Sequence, residues 1–530
     1  MRLTRRLFLG LGGAALAAAL ALAAANLVLG DLNQDEGWYL YAARLVASGR
    51  LPYRDFAFTQ GPVMPLVYAA FEPLTQAAGL AGGRLATALL GLAASLAAAG
   101  LARRLAAPGW RGSAALCALI LASVNVYHSY YFTVVKTYSL TALLLTGGFW
   151  ILAHAWTSRR AGVWFAAAGA LMALAAGVRS SAGIVLPIAL AGLWLARRGA
   201  PRGAWLAYGA GAAAAGVSVF GPFLLAAPDA LIYCVVRFHT LRDAGGGLIT
   251  WAFKAGFLSR LVQAYFVLFA LGVAALLATW ARRRAGAVAP EPGARTLPRE
   301  AGPVLRMLGA GAAAISLVHF LAPFPYEDYQ VFVMPLAAVL VAWAAARQAG
   351  PRGAAWLTLG LLIVSLGAAG SSPVNQDWFI QGRDRIWWKI KDRTPLQKLR
   401  DTAARLRAEA PPGSLLLTLD PYLAVESGLA LPRGLEMGQF SYFPELDDRQ
   451  AAALHVFNRA GLERLLQTTE APLAAMSGYA LAIRAPEILP LDPADEERLW
   501  SLVRARYEPA GEVPHFGQAA TTLRLFRKKE

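Results

Sequence analysis

Repeated apolar runs near 20 residues constrain the fold of this 530-residue chain more than any other feature. A run of about 20 apolar residues is long enough to cross the hydrocarbon core of a bilayer as a helix. Only 15% of the residues are charged and 57% are hydrophobic, a composition unlike that of a soluble domain. The sequence predicts a membrane protein with about eleven spanning helices, near 7–29, 82–102, 112–127, 137–157, 162–178, 181–196, 204–226, 261–281, 303–322, 330–346 and 355–370.

The formal net charge of +18 would suit a nucleic-acid-binding protein, but its distribution indicates a membrane. The arginines cluster at the ends of the apolar runs, as cytoplasmic flanks do. The pattern predicts a cytoplasmic N-terminus with an uncleaved first helix, a cytoplasmic linker at 282–300, and membrane lipids, not nucleic acid, as partners. The clusters are Arg103–Arg104, Arg159–Arg160, Arg197–Arg198 and Arg282–Arg284, followed by Arg347 and Arg352.

Segment 61–79 is apolar but contains three prolines and Glu72. If it crossed the membrane, every later arginine cluster would lie on the side opposite Arg5 and Arg6. A segment that lies at the interface, or enters and returns, keeps all clusters on one side. We therefore predict a re-entrant or interfacial segment.

Residues 371–530 have charges of both signs and short apolar runs bounded by turn residues. This pattern predicts a soluble α/β domain in the outer compartment that folds independently. "GSLLLTLDPYLAVESG" predicts a strand, a turn and a short helix, and "GYALAIRAP" and "TTLRLFRKK" predict strands. Helices are expected near 395–410, 447–467 and 493–506.

The stretch "DLNQDEGWYLYAARLVASGRLPYRDFAFTQGPVMP" directly follows the first apolar run and carries four acidic residues. One of two adjacent carboxylates can acquire a raised pKa and accept a proton near neutral pH. Alternatively, the loop is solvated and Asp35 is the N-cap of the following helix. The residues alone leave both interpretations open. The acidic residues are Asp31, Asp35, Glu36 and Asp55.

The same stretch, "DEGWYLYAARLVASGRLPYRDF…QGPVMPLVYA", resembles the first outer loop of GT-C glycosyltransferases of the family 39 type. That family includes protein O-mannosyltransferases and lipid A aminoarabinose transferases. The resemblance implies an all-α membrane bundle of the GT-C type over 1–370, with 31–80 as the first outer loop. It further implies that Asp35 is the catalytic base supported by Glu36, with Tyr39 and Asp55 contacting the acceptor or the sugar.

Two later stretches are similar to the family more weakly. "GALMALAAGVRSSAGIVLPIAL" ends a helix at Arg179, and "PYEDYQVFVMPLAAVL" matches a stretch near the donor site. The second match implies that Tyr326 and Asp328 contact the acceptor or the sugar. Glu327 and Asp328 stand where an arginine is common, and Gln60 and Gly61 stand where a lysine or histidine is common. These departures remove positive charge from the expected phosphate site.

Cations predicted on the outer side could replace that charge. A lipid-linked phosphate requires such partners in a site of low dielectric constant. Alternatively, each side chain extends to the lipid headgroups from the end of a helix. The candidates for donor phosphate binding are Lys136, Arg179, Arg237, His239 and Arg242, with Lys254 nearby.

The function implied by this resemblance is an inverting transfer of a sugar from a polyprenyl-phosphate donor to a hydroxyl of a lipid, glycan or protein. It would occur at the outer face of a bacterial inner membrane. No cofactor or metal is expected, because the histidines lack the spacing of a metal motif. Two alternatives are open: a transporter of polyprenyl-linked sugars or lipids, and a partner-binding protein that works through its C-terminal domain.

Overall fold

The computed structural model describes residues 4–241, 247–285, 297–371, 393–411 and 413–530. A helical membrane part precedes a C-terminal domain that contains a sheet. Most of the predicted linker at 282–300 lies outside the described residues. The helices of the first part are α1 Arg5–Leu29, α2 Gln34–Ala47, α3 Val63–Ala69, α4 Glu72–Ala78, α5 Leu80–Leu105, α6 Arg111–Ser123, α7 Val126–Tyr131, α8 Tyr138–Ala155, α9 Ala161–Val178, α10 Val185–Leu195, α11 Ala204–Ala226, α12 Pro228–Ile232, α13 Phe238–Thr240, α14 Gly247–Ala264, α15 Phe266–Arg284, α16 Ala301–Leu321 and α17 Met334–Ser371.

Within the described ranges, eight helices are long and apolar enough to cross a membrane. One of them, α17, is bent at Gly350, whose backbone has φ 61° and ψ −169°, immediately before Pro351. Two shorter apolar helices, Arg111–Ser123 and Ser180–Leu195, accompany them. A multi-pass helical membrane protein is confirmed, and the number of about eleven crossings stays a prediction.

Small residues allow the membrane helices to pack closely. A Cβ atom added to Gly169 of α9 would lie 2.1 Å from the carbonyl oxygen of Tyr208 in α11. One added to Gly211 of α11 would lie 2.0 Å from the carbonyl oxygen of Ala166. Lipid gives no hydrophobic drive for helices to associate, so close backbone approach of this kind supplies the packing.

The first outer loop contains a largely buried helix, α2, and two short helices, α3 and α4. Each of the short helices has seven residues, about 10 Å at 1.5 Å per residue. Neither can cross a hydrocarbon core of about 30 Å. This geometry agrees with the interfacial or re-entrant segment expected at 61–79.

The C-terminal domain is built on a four-stranded sheet with the order β1-β2-β6-β5. β1 and β2 are parallel, whereas β6 is antiparallel to both of its neighbours. The strands are β1 Leu416–Thr418, β2 Leu473–Met476, β3 Ile483–Arg484, β4 Leu489–Pro490, β5 Tyr507–Phe516 and β6 Thr521–Lys528. The helices are α18 Pro395–Glu409, α19 Pro421–Ser427, α20 Asp448–Leu454, α21 Arg459–Thr468 and α22 Pro493–Arg506.

Most of the strands and helices expected in this domain are present, with three differences. "GYALAIRAP" is mostly turn, and the strand β2 precedes it; all four residues of β2 are buried, so the run has no polar alternation to reveal it. β5, which contains Pro509 and Gly511 at a bulge, was not predicted. The helix expected at 447–467 is two helices, separated where His455 adopts φ 56°.

The first outer loop and the C-terminal domain share one hydrophobic core. Trp38 and Tyr39 of α2 belong to the same buried cluster as Leu423 of α19 and Leu525 of β6. The independent folding of residues 371–530 stays a prediction. The shared core implies that an isolated C-terminal domain would expose apolar surface.

Candidate active site

The N-terminus of α2 is capped by Asn33. Its side-chain oxygen accepts from the backbone N–H of Asp35 at 3.1 Å, and its own N–H donates to Oε2 of Glu36 at 2.9 Å. This capping box satisfies the first donors of the helix. The interpretation of Asp35 as the N-cap is therefore wrong, and its side chain is available for other contacts.

Glu36 forms a fully buried ion pair with Arg84 of α5. The Nε and Nη2 atoms of Arg84 donate to the two carboxylate oxygens at 2.8 Å and 2.7 Å. Both side chains are 0% exposed. A bidentate arginine–carboxylate interaction of this kind fixes the orientation of both groups and stabilises the pair.

The Glu36–Arg84 pair also joins several elements. Arg84 donates to the carbonyl oxygens of Gly30 at 3.0 Å and Asp31 at 2.9 Å, at the end of α1. Glu36 Oε1 accepts from the backbone N–H of Val135 at 3.2 Å, ahead of α8. Glu36 was expected to support Asp35, but the structure places its carboxylate against Arg84 in a structural junction.

Asp35 faces a second set of charges. Lys136 Nζ lies 3.1 Å from Asp35 Oδ2 and 3.0 Å from Asp328 Oδ2. Asp328 Oδ2 also accepts from the hydroxyl of Tyr138 at 2.9 Å. Asp35 Oδ1 accepts from the indole N–H of Trp38 at 3.3 Å. The lysine therefore bridges two carboxylates contributed by α2 and by the segment ahead of α17.

Arg179, at the end of α9, stands beside this bridge. Its Nη1 donates to the hydroxyl of Thr137 at 3.1 Å. The guanidinium carbon lies 4.5 Å from the ring centroid of Tyr329 and 5.2 Å from that of Tyr138. Its buried Nε has no hydrogen-bond partner among the described residues. A partly buried guanidinium that is held by rings and has a buried, unused Nε donor is suited to an anionic ligand.

We refer to Asp35, Lys136, Arg179 and Asp328 as the four-charge cluster. Its two carboxylates and two cations have opposite formal charges, so the cluster is neutral as a set. The side chains of Lys136 and Asp328 are 10% and 12% exposed, whereas that of Asp35 is 23% exposed. Of these three side chains, that of Asp35 is therefore the most accessible.

A separate hydrogen-bonded chain begins at Ser181, two residues after Arg179, and leads into α16. His319 Nε2 lies 2.9 Å from the hydroxyl of Ser181, and its Nδ1 lies 3.0 Å from Gln330 Nε2. The hydroxyl of Ser316 donates to Gln330 Oε1 at 2.8 Å. Bonds on both sides of the imidazole fix its ring next to the segment that follows Arg179.

Aromatic rings border the cluster on two sides. Tyr39 is 3% exposed and stacks on Trp38, with 3.9 Å between the ring centroids. Burial raises the pKa of the Tyr39 phenol above its usual value, and the charge of Asp35 raises it further. Tyr326 makes an edge contact with Tyr329 at 5.4 Å. Tyr39 and Tyr326 were both expected at the site. Tyr39 stacks on Trp38, which donates a hydrogen bond to Asp35, and Tyr326 contacts Tyr329, whose ring lies against Arg179.

Other expected site residues have different surroundings. Asp55 is bound by the neighbouring Arg54 at 2.7 Å, and this hydrogen-bonded pairing holds the pKa of the Asp55 carboxyl below its usual range. The Nε2 atom of His239 lies 2.8 Å from the carbonyl oxygen of Thr59. Arg237 is exposed, and no contact among the described residues joins it to the four-charge cluster. Arg242 lies outside the described residues.

Three participants were missed from the sequence. Arg84 stands alone near the start of an apolar helix, and an isolated charge in such a position signals a buried partner. Arg260 of α14 pairs with Glu327 at 2.9 Å. Tyr138 gave no signal, because interfacial tyrosines are common. The acidic residues Glu327 and Asp328, which seemed to remove positive charge, each bind a cation contributed by another part of the chain.

Solved structures resemble this chain over almost its whole length. ArnT from Cupriavidus metallidurans bound to undecaprenyl phosphate has a TM-score of 0.57 at 15% identity, over 96% of this chain and 97% of that chain. The apo state of the same protein has a TM-score of 0.58 at 15% identity, with the same coverage. An Archaeoglobus fulgidus oligosaccharyltransferase tethered with an acceptor peptide has a TM-score of 0.50 at 14% identity, over 93% of this chain and 72% of that chain.

The chain has the GT-C fold. The GT-C type bundle implied by the outer-loop resemblance is thereby confirmed, as is the small domain with a sheet that the charge and turn pattern predicted after it. No protein-family model and no curated protein sequence matches the chain. In this GT-C bundle, the four-charge cluster lies directly beyond the first helix, where α2 begins.

Proposed function

We propose that this protein is a membrane glycosyltransferase that moves a sugar from a polyprenyl-phosphate donor to a hydroxyl acceptor. The observation that supports this most strongly is the four-charge cluster: a partly exposed carboxylate, Asp35, is held by Lys136 beside the guanidinium of Arg179, whose buried Nε is an unused donor. Such a transfer requires a base that removes the proton of the attacking hydroxyl and cations that stabilise the departing phosphate. The similar ArnT structure, bound to undecaprenyl phosphate, supports the same class of donor.

In the proposed reaction, the acceptor oxygen attacks the anomeric carbon as the bond from that carbon to the phosphate oxygen breaks. Asp35 takes the proton of the attacking hydroxyl. One of its oxygens contacts Lys136 and the other contacts Trp38. Because each carboxylate oxygen has two lone pairs, each can still accept a further hydrogen bond. A single displacement of this kind inverts the anomeric configuration.

The departing lipid phosphate would be held by Arg179 and Lys136. The guanidinium of Arg179 is planar and its Nε is an unused donor, so it could donate hydrogen bonds to two phosphate oxygens at once. Lys136 is a flexible point charge and can turn from Asp328 toward the phosphate without leaving Asp35. Closely placed donors in a site of low dielectric constant stabilise the negative charge that develops on the leaving group.

The proposed location is the outer face of a bacterial inner membrane, with the C-terminal domain in the periplasm. The arginine clusters at the helix ends support this orientation through the positive-inside rule. The acceptor would be a lipid, a glycan or a protein. Comparing the glycolipids, glycans and glycoproteins of cells with and without the gene by mass spectrometry would identify which of them loses a sugar.

The direct test is transfer by the purified protein. The full chain in lipid nanodiscs is incubated with a panel of labelled polyprenyl-phosphate hexoses and pentoses and with an extract of cell-envelope acceptors. Release of polyprenyl phosphate together with labelled acceptor is the expected result for one donor. Binding of donors without any transfer would favour the transporter interpretation and contradict this proposal.

A further inference from the structure

One face of α2 is covered by the C-terminal domain. The residues on this face recur at helical spacing, which places them in one row. They are Gln34, Gly37, Tyr41 and Arg44. Every one of them contacts the segment that runs from Asp420 to Leu431.

The contact nearest the cluster is made by Gln34. Its side-chain nitrogen donates to Asp420 Oδ1 at 2.8 Å, and its backbone N–H donates to Gln518 Oε1 at 3.1 Å. Asp420 is 0% exposed. Its carboxylate also accepts from the hydroxyl of Tyr422 at 3.0 Å and from the backbone N–H of Ser477 at 3.0 Å. Asp420 is therefore a fixed acceptor anchored at the ends of β1 and β2.

The remaining contacts pack α2 against the C-terminal domain. A Cβ atom added to Gly37 would lie 2.2 Å from the backbone nitrogen of Tyr422, so the two backbones touch. The Tyr41 hydroxyl accepts from the backbone N–H of Leu431 at 2.9 Å. Arg44 donates to two carbonyl oxygens of α19 at 3.1 Å and 2.9 Å. The helix has no room to rotate while these contacts persist.

Asp35 directly follows Gln34 in the chain but faces Lys136. One peptide unit joins the Cα atoms of the two residues, so the anchoring of Gln34 fixes the backbone from which the Asp35 side chain extends toward Lys136. A reacting group must be held within a fraction of an ångström of its working position for full effect.

We propose that the C-terminal domain is a positioning part of the active site, and that it orients Asp35 through the hydrogen bond between Gln34 and Asp420. The inference rests on the proposed function. Gln34 and Asp420 act through Asp35 and are positioning residues. A loosened Asp35 would transfer protons less efficiently while the donor phosphate site, built by other helices, keeps its geometry.

The test compares two substitutions on the same face of α2. Gln34→Met keeps the length of the side chain and removes its donor to Asp420. Tyr41→Phe removes one hydrogen bond to the same segment, two turns further along the helix. Transfer kinetics with the active polyprenyl-phosphate sugar and thermal unfolding are measured for the full-length variants in nanodiscs.

We expect Gln34→Met to lower kcat about 10-fold or more, with KM for the donor within about twofold of wild type. Tyr41→Phe should lower kcat less than about twofold at a comparable unfolding temperature. A wild-type kcat in Gln34→Met, or an equal loss in both variants, would overturn the inference while the proposed function stands. Absence of transfer by the wild-type protein would instead overturn the proposed function, and the inference with it.

Discussion

Asp35 and Glu36 are neighbours in the sequence but belong to two different regions of the molecule. Glu36 is 0% exposed and is held on both oxygens by Arg84, among backbone groups of three elements. Asp35 is 23% exposed at its side chain and lies in the four-charge cluster. Consecutive residues of a helix point about 100° apart, so adjacency in the chain separates the two carboxylates.

The comparison indicates which of the two carboxylates has a structural role and which is free to act on a substrate. The hydrogen-bonding groups of the Glu36–Arg84 pair are bound within the protein itself, as expected of a pair that joins structural elements. The four-charge cluster retains unused capacity: the Nε of Arg179 lacks a partner among the described residues, and Asp35 remains accessible. Because its charged groups keep unused hydrogen-bonding capacity, the four-charge cluster is the part of the molecule that we propose as the substrate site.

Glu36→Gln should have the largest effect on stability. The substitution leaves the charge of Arg84 buried without its counter-ion, and breaking a buried pair costs about 3–5 kcal/mol. We expect a large fall in the free energy of unfolding, measured by thermal or denaturant unfolding in detergent. Asp35→Asn is the matched control on the adjacent residue and should unfold close to wild type.

The double variant Glu36→Gln with Arg84→Gln sharpens this test. Removing both charges avoids an unpaired buried ion, so the double variant should recover part of the stability that Glu36→Gln loses. A Glu36→Gln protein that unfolds like wild type but transfers no sugar would contradict the structural assignment of Glu36.

Arg179→Gln tests the other region and should have the next largest effect. Losing a charged partner of a buried phosphate should weaken donor binding by about 2–5 kcal/mol. The affinity for polyprenyl phosphate, measured by its protection of the protein against thermal unfolding, reports the change. Arg237→Gln is the comparison: Arg237 is exposed and outside the cluster, so its loss should change the affinity less than about twofold. Equal losses in both variants would place the phosphate elsewhere.

Asp328→Asn should have the smallest effect, in the opposite direction. The asparagine oxygen can still accept from Lys136 and Tyr138, while the negative charge near the phosphate disappears. We expect tighter binding of polyprenyl phosphate by about 1 kcal/mol, a factor of about 5. Weaker binding in this variant would mean that Asp328 serves mainly to hold Lys136 in place.

Much of the fold could be predicted from the sequence, because apolar length and arginine position act locally and are visible in the letters. The bundle follows from such signals, and so does the expectation of an interfacial or re-entrant segment at 61–79, with which the short helices α3 and α4 agree. Strand β2 could not be predicted this way, because its four residues are all buried and carry no alternation. The bent helix α17 reads in the sequence as two separate apolar runs, 330–346 and 355–370.

The site was only partly predictable, because its contacts join residues far apart in the chain. Asp35, Lys136, Arg179 and Asp328 were singled out one by one, but nothing in the sequence reveals that Lys136 bridges two carboxylates from distant segments. Arg84 was overlooked as the partner of Glu36 for the same reason. The capping role of Asn33 was missed because Asp35, two residues later, is an equally good N-cap type.

The central claim is that the Asp35 carboxylate removes the proton of the acceptor, and one measurement tests it most directly: single-turnover transfer by Asp35→Asn with the donor already bound. Asparagine keeps the shape and cannot accept the proton, so the rate should fall about 10²–10⁴-fold. Binding of polyprenyl phosphate should not weaken, because Lys136 and Arg179 are unchanged. An Asp35→Asn protein that transfers sugar at the wild-type rate would contradict the account, since the cluster would then have lost its base without consequence.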